Sequence, residues 1–276
     1  YALARMESHA NLTQMTFDNV MVFPQGRFST KAIHALKASG IAAALNSTPW
    51  PVDYRENPLT IHDLLEVAVT RYDNFPIFVR RNPREVIDFA FDALFQKPVL
   101  AVEHHEFFRN GYEGLSNFEQ EVSALSNKVI WMPLGRTVAS SCVLKRMGDD
   151  LFGLRHFSPV LRFQNPTLAN IKLLVEKPEQ DGLVEAVVVG GQRVAFDVSS
   201  GFLKYSVSLR SGEELKVVIL YRQTQKANRR QSWKYCFEVS VRRLLSEFRD
   251  NHLARSEGLL SFAEKIKETL TRRKIS

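Results

Sequence analysis

The stretch Asn19 to Leu45, NVMVFPQGRFSTKAIHALKASGIAAAL, decides how the first half of this chain is read. It opens on a short apolar run, Asn19 to Phe23, closed by Pro24 and Gly26. Ser29 is a capping residue type ahead of a helix from Thr30 to Ser39, Gly40 suits the position just past its end, and Ile41 to Leu45 is a second apolar run. Two strands without a polar face, joined by a helix, are what a parallel sheet needs, because crossover helices cover both of its faces.

Working outward, the same texture continues to about residue 147. Thr60 with Asp63 three residues on predicts a capped helix through Val69, and Pro76 to Val79 predicts a strand. Asn82-Pro83 opens a helix that puts Val86, Ile87, Ala90, Phe91 and Leu94 on one face. Val99 to Glu103 and Val129 to Met132 read as further strands, separated by a helix that Ser116 and Glu119 would cap, and residues 136–147 read as one more helix. The expectation is an α/β domain over residues 1–150, with five strand–helix units that fit either an open doubly wound sheet or a partial (β/α) barrel.

Beyond residue 150 the period changes to two. Residues 157–221 alternate apolar and polar, with turn signals at Asn165-Pro166, Gly190-Gly191, Ser200-Gly201 and Ser211-Gly212. This predicts an antiparallel β-sandwich of six or seven strands, an accessory domain at residues 151–222. Residues 223–276 read as basic amphipathic C-terminal helices, with apolar stripes through Trp233, Phe237, Val241, Leu244 and Phe248 and then Leu259, Phe262, Ala263, Ile266 and Leu270.

Composition narrows the class. With 45% hydrophobic and 24% charged residues, 13 Gly and 11 Pro in 276 residues, the chain is neither collagenous, nor a disordered tail, nor a disulfide scaffold. The net charge of +7 belongs to the tail, where residues 221–276 carry 14 Lys and Arg against 6 Asp and Glu. Such helices suit an anionic membrane surface or packing against the barrel. Acids mixed among the bases favour the packing role, and nucleic acid is the least expected partner. Cys142 and Cys236 are the only cysteines and have no metal-site spacing. Cysteine usage and the lack of an export signal favour the cytoplasm, although a chain that begins at Tyr1 says little about its leader.

Ligands of parallel α/β folds bind where the strands end, so the residues after each strand are the candidates. They are Gln25-Gly26-Arg27, Asn46-Ser47-Thr48, Arg80-Arg81, His104-His105-Glu106 and Pro133-Leu134-Gly135. His104 and His105, flanked by Glu103 and Glu106, carry the most chemistry: acid, metal ligand or sugar-binding donor. Trp50 and Trp131 could stack on sugar rings. Each candidate also has a bland reading, as capping histidine, plain turn, solvated arginine pair or packed aromatic. No Gly-rich phosphate loop, nucleophile elbow or His-Glu-x-x-His is present.

The segment Met21-Val22-Phe23-Pro24-Gln25-Gly26-Arg27-Phe28-Ser29, with its Ala35-Leu36-Lys37-Ala38-Ser39-Gly40 helix and following strand, resembles the third motif region of the polysaccharide deacetylase family. Val99 to His105 looks like the family's late strand with its Leu-His motif. The resemblance covers about residues 15–135 and implies a (β/α) barrel that removes acetyl groups from polysaccharide with a divalent metal such as Zn or Co. It places the Gln25 N–H at the oxyanion and His104 or His105 as the acid; Asn46, Arg80 and Glu106, read from the strand ends, and Trp50, read as a stacking ring, are the candidates for contact with the substrate. Val22 and Gln25 stand where the family has Arg and Tyr, no clear Asp-Trp follows Asn46, and no Asp-Asp or His-x-x-x-His precedes Phe23. The metal ligands are therefore expected upstream of Tyr1. The run Arg242 to Asn251 is similar to the tails of bacterial surface-polysaccharide cluster proteins. Two functions follow as expectations: a metal-dependent deacetylase of bacterial surface polysaccharide, or a non-catalytic carbohydrate-binding or scaffold protein.

Overall fold

A computed structural model describes residues 2–108, 111–222 and the four positions 237, 240, 241 and 244. Residues 1–224 form one compact unit and 225–276 a second. Most of the expected C-terminal helices lie outside the described residues; Phe237, Ser240, Val241 and Leu244 are helical and exposed. Among the described residues no helix is long and apolar enough to cross a membrane.

The first unit opens with helix α1 (Ala2–Thr13), which the sequence pattern did not suggest. Strands β1 (Val20–Val22), β2 (Ala43–Asn46) and β3 (Ile77–Val79) then form a parallel sheet in that order, with Val20 opposite Ala43 and Ala44 opposite Ile77. Helix α2 (Thr30–Ala38) crosses between β1 and β2. The Ser29 hydroxyl accepts from the Ala32 N–H, and the Asp53 carboxylate accepts from the Thr30 N–H, a bond that holds its carboxyl below the usual range. Phe23 and Phe28 stack at 4.5 Å and bury against Ile33, Ala44 and Ile77 on one face of the sheet. Ala43, Leu45 and Phe78 bury on the other face with Val138 and Phe157.

The partial barrel is not there. Among the described residues three parallel strands are all that the α/β region contributes, no barrel closes, and twelve strands in three sheets stand beside six α-helices. Of the two further strands expected, Val99 to Glu103 makes a single bridge, Ala101 beside Arg81, and Val129 to Met132 joins no sheet. Helix α3 (Ile61–Leu65) keeps the Thr60–Asp63 capping box but stops at Glu66. The chain then turns extended, and Val69 pairs antiparallel with Ile77. Helix α4 (Val86–Leu94) buries Phe89 and leaves Ile87, Phe91 and Leu94 exposed. Helix α5 (Glu113–Ala124) meets it through Phe118, edge-on to Phe89.

Helix α6 (Leu134–Ser140) is short, and the residues after it leave the helix for β4 (Cys142–Arg146). Eight more strands follow: β5 (Leu151–His156), β6 (Val160–Gln164), β7 (Ile171–Pro178), β8 (Val184–Val189), β9 (Gln192–Val194), β10 (Asp197–Ser199), β11 (Phe202–Leu209) and β12 (Glu214–Tyr221). They make two sheets, β10-β11-β7-β5-β4 and β6-β12-β8-β9. Leu154, Leu173 and Leu203 from the first meet Leu161, Val187 and Val217 from the second in one core. The first of these sheets is mixed rather than antiparallel, since β5 and β7 run parallel.

This strand-rich region is bonded to the α/β layer. Glu179, just past β7 and wholly buried, takes the Lys37 ammonium of α2 at 2.7 Å, the Lys177 ammonium at 2.9 Å and the Tyr221 hydroxyl at 2.7 Å. Burial works to raise its carboxyl, but the two ammonium groups outweigh that and hold it low.

Candidate functional site

The carboxyl ends of β1, β2 and β3 lie side by side, and backbone bonds lock them together. The Arg80 N–H donates to the Asn46 carbonyl at 3.1 Å, and the Arg81 N–H to the Leu100 carbonyl at 2.9 Å. The second bond sets residues 100–102 on the far side of β3, so the tips run in the order Gln25, Asn46, Arg80, His104. At the usual strand spacing the first and last tips are about 14 Å apart. The site is therefore a row, and Gln25 and His104 stand at opposite ends of it.

Gln25 sits at φ 55°, ψ 17° within a single 3₁₀ turn, Pro24–Gly26, and Gly26 follows at φ 65°. The left-handed pair turns the chain sharply off β1, with Gly26 N–H closing on the Phe23 carbonyl at 3.1 Å. The Gln25 N–H has no acceptor among the described residues, and its side chain is exposed. Only a residue without Cβ fits easily at 26, because a Cβ there would lie 3.3 Å from Asn46 Oδ1.

Asn46 is fully buried. Its Nδ2 donates to the Gly26 carbonyl at 2.8 Å and the Thr48 carbonyl at 2.9 Å, tying the turn after β1 to the turn after β2, while Oδ1 has no partner. Its burial makes it the organiser of the two turns rather than a group that touches ligand. Trp50, on the loop beyond Thr48, is 45% exposed, whereas Trp131, also exposed, spends its indole N–H on Ser123 Oγ at 3.1 Å.

Arg80 and Arg81 are adjacent in sequence and different in fate. Arg81 makes a bidentate pair with Asp92 of α4, at 2.7 and 3.0 Å. Arg80 is half-buried, its Nε is fully buried without an acceptor, and burial lowers its guanidinium pKa. An unpaired buried cationic donor costs free energy wherever it is not used, which makes Arg80 the anomalous group of the row.

His104 is exposed and its backbone N–H donates to the Glu103 carboxylate at 3.2 Å. His105 begins a 3₁₀ turn that runs to Phe108; the side chains of His105 and Glu106 lie outside the described residues. Among the described residues no three His, Cys, Asp or Glu side chains come together to hold a metal. Among the described residues the donor set does not fit a Zn or Co site. Cys142 is no substitute nucleophile, since burial pushes its thiol up to about 11. Among the described residues the histidine that is buried and bonded on both nitrogens is His156, at the end of β5, to the Ser158 carbonyl at 2.9 Å and the Tyr205 hydroxyl at 3.1 Å.

No known family, curated protein or solved structure matches this chain.

Proposed function

We propose that this chain acts on polysaccharide, holding an extended glycan along the row of strand tips, and that the reaction it serves is removal of acetyl groups. The observation that carries the reading is the layout itself: exposed Gln25, Trp50 and His104 and the unpaired Arg80 at successive tips rather than around one point. Small-molecule sites are concave and convergent, whereas a row of donors about 14 Å long with an exposed indole suits a polymer. The Gln25 N–H, presented by a left-handed turn and lacking an acceptor, supports the deacetylation half of the reading as a donor for an acetyl oxygen.

A second reading, glycan binding without catalysis, is favoured by one observation: the described residues supply no metal ligand set. One experiment addresses both. N-acetylglucosamine, its trimer and its hexamer are titrated against the intrinsic fluorescence of the protein, and acetate release is followed with and without added Zn²⁺ or Co²⁺. Affinity that rises from monomer to trimer and falls at least tenfold in Arg80→Ala supports the tip row; affinity independent of length, or no saturable binding, overturns it. Given binding, acetate release selects deacetylation and its absence selects the binding protein.

A further inference from the structure

A second feature lies at the other end of the parallel sheet, away from the tips. A cleft of about 380 Å³ opens at the amino ends of β1 and β2, between helix α6 and strand β6. Its volume is within the range of small-molecule sites. Two guanidiniums line it, Arg136 from α6 and Arg162 from β6. Arg136 is exposed and has no hydrogen-bond or ion-pair partner among the described residues, and Arg162 has only Glu214, at 3.7 Å and half-exposed. Both arginines line this one cleft, and both help hold the neighbouring Glu214 carboxyl low, after Lys216. Asp18, which also lines the cleft, accepts the Gly135 N–H beside Arg136 on Oδ2 at 2.8 Å and keeps Oδ1 without a hydrogen-bond partner among the described residues. Phe17 adds an exposed ring to the wall.

We infer that this cleft binds a small anionic sugar, its carboxylate or phosphate between Arg136 and Arg162, its ring beside Phe17 and a hydroxyl on Asp18 Oδ1. Two cations with donors to spare select an anion, and guanidinium forks match a carboxylate or phosphate edge. A carboxylate oxygen without a partner on the same cleft selects a ligand that also carries hydroxyl donors, and so disfavours a bare anion as the best fit. The cleft stands apart from the tip row, so the inference does not depend on the polysaccharide reading.

The test is titration calorimetry on the intact chain with D-glucuronate, glucose 6-phosphate, inorganic phosphate and neutral glucose. The two anionic sugars carry a carboxylate and a phosphate at the same end of the ring, and whichever binds more tightly names the group the cleft prefers. Either should bind saturably and at least tenfold more tightly than inorganic phosphate or glucose. Affinity should drop at least tenfold in Arg136→Gln/Arg162→Gln and several-fold in Asp18→Asn, and should fall as salt rises. The thermal midpoint of each variant is measured alongside, and the conservative Arg162→Lys, which keeps the charge, should retain part of the affinity. Saturable binding that survives the double variant, equal affinity for glucose, a preference for inorganic phosphate, or no binding to the folded protein would each overturn the inference.

Discussion

Acidification from pH 7 to pH 5 should cost this protein about 2 kcal/mol of stability through one side chain, His156. The ring is 1% exposed at the end of β5. Held neutral, it donates from Nδ1 to the Ser158 carbonyl and accepts the Tyr205 hydroxyl on Nε2, so neither nitrogen has room for another proton. Burial, with the Lys177 ammonium adding a like charge, lowers its pKa from 6.5 to about 3. Tyr205 of β11, Lys177 of β7 and Cys142, opposite it on β4, stand near it, and the Glu179 carboxylate is bonded to Lys177 rather than to the ring. Because the folded pKa lies below the unfolded one, the unfolded chain binds more protons between pH 6.5 and 3, and stability is lost as pH falls through that window. At pH 5 the difference is roughly 1.4 kcal/mol for each of about one and a half units, hence about 2 kcal/mol. Urea unfolding at pH 7, 6 and 5 measures it, with the midpoint moving down by about 1 M at a slope of about 2 kcal/mol/M. In His156→Gln the absolute stability is lower but the slope against pH between 7 and 5 should nearly vanish. Equal slopes in the two proteins would refute the assignment.

Three further outcomes follow from buried pairs and bonds. Glu179→Gln leaves Lys177, 1% exposed at its side chain, without a counterion and should destabilise by about 3–5 kcal/mol, most of it recovered in Lys177→Met/Glu179→Gln, as urea unfolding would read. Arg81→Ala strands the buried Asp92 carboxylate and should cost a similar amount, about 3–5 kcal/mol, with faster exchange of the α4 amides in a hydrogen-exchange measurement. Asn46→Ala removes the donor shared by Gly26 and Thr48 and should cost about 1–3 kcal/mol in thermal unfolding while weakening glycan binding, because both tip turns lose their common support.

Signals that act over a few residues were legible. Ser29, Gly40 and the Thr60–Asp63 box cap and end helices through bonds made within a turn, and each does so here. Sheet membership is not local. Val99 to Glu103 is as apolar as β2, yet only Ala101 finds a bridge, and in the second run Ile130 and Trp131 stay exposed. Period-two alternation beyond residue 150 marks which face is buried but carries no direction, so the parallel pairing of β5 with β7 could not be read from it. The buried face of α4 was missed for a similar reason: Arg81 draws Asp92 inward, and Phe89, three residues before it on the same side, goes in with it.

The same ion pair explains why the tip row contains the groups it does. Arg80 and Arg81 carry identical chemistry in adjacent positions, and nothing in the sequence separates them. Alternation along the extended chain does. The backbone of Arg80 turns to β2 and that of Arg81 to residues 100–102, so their side chains leave on opposite faces of the sheet. Asp92 stands on one of those faces and satisfies Arg81; no carboxylate among the described residues pairs with Arg80. A guanidinium left half-buried and unpaired lowers stability, and replacing it by an apolar side chain of similar length should raise the unfolding midpoint if structure were its only role. Arg80→Met is therefore the variant in which stability and function are expected to part, gaining in urea unfolding while losing glycan affinity.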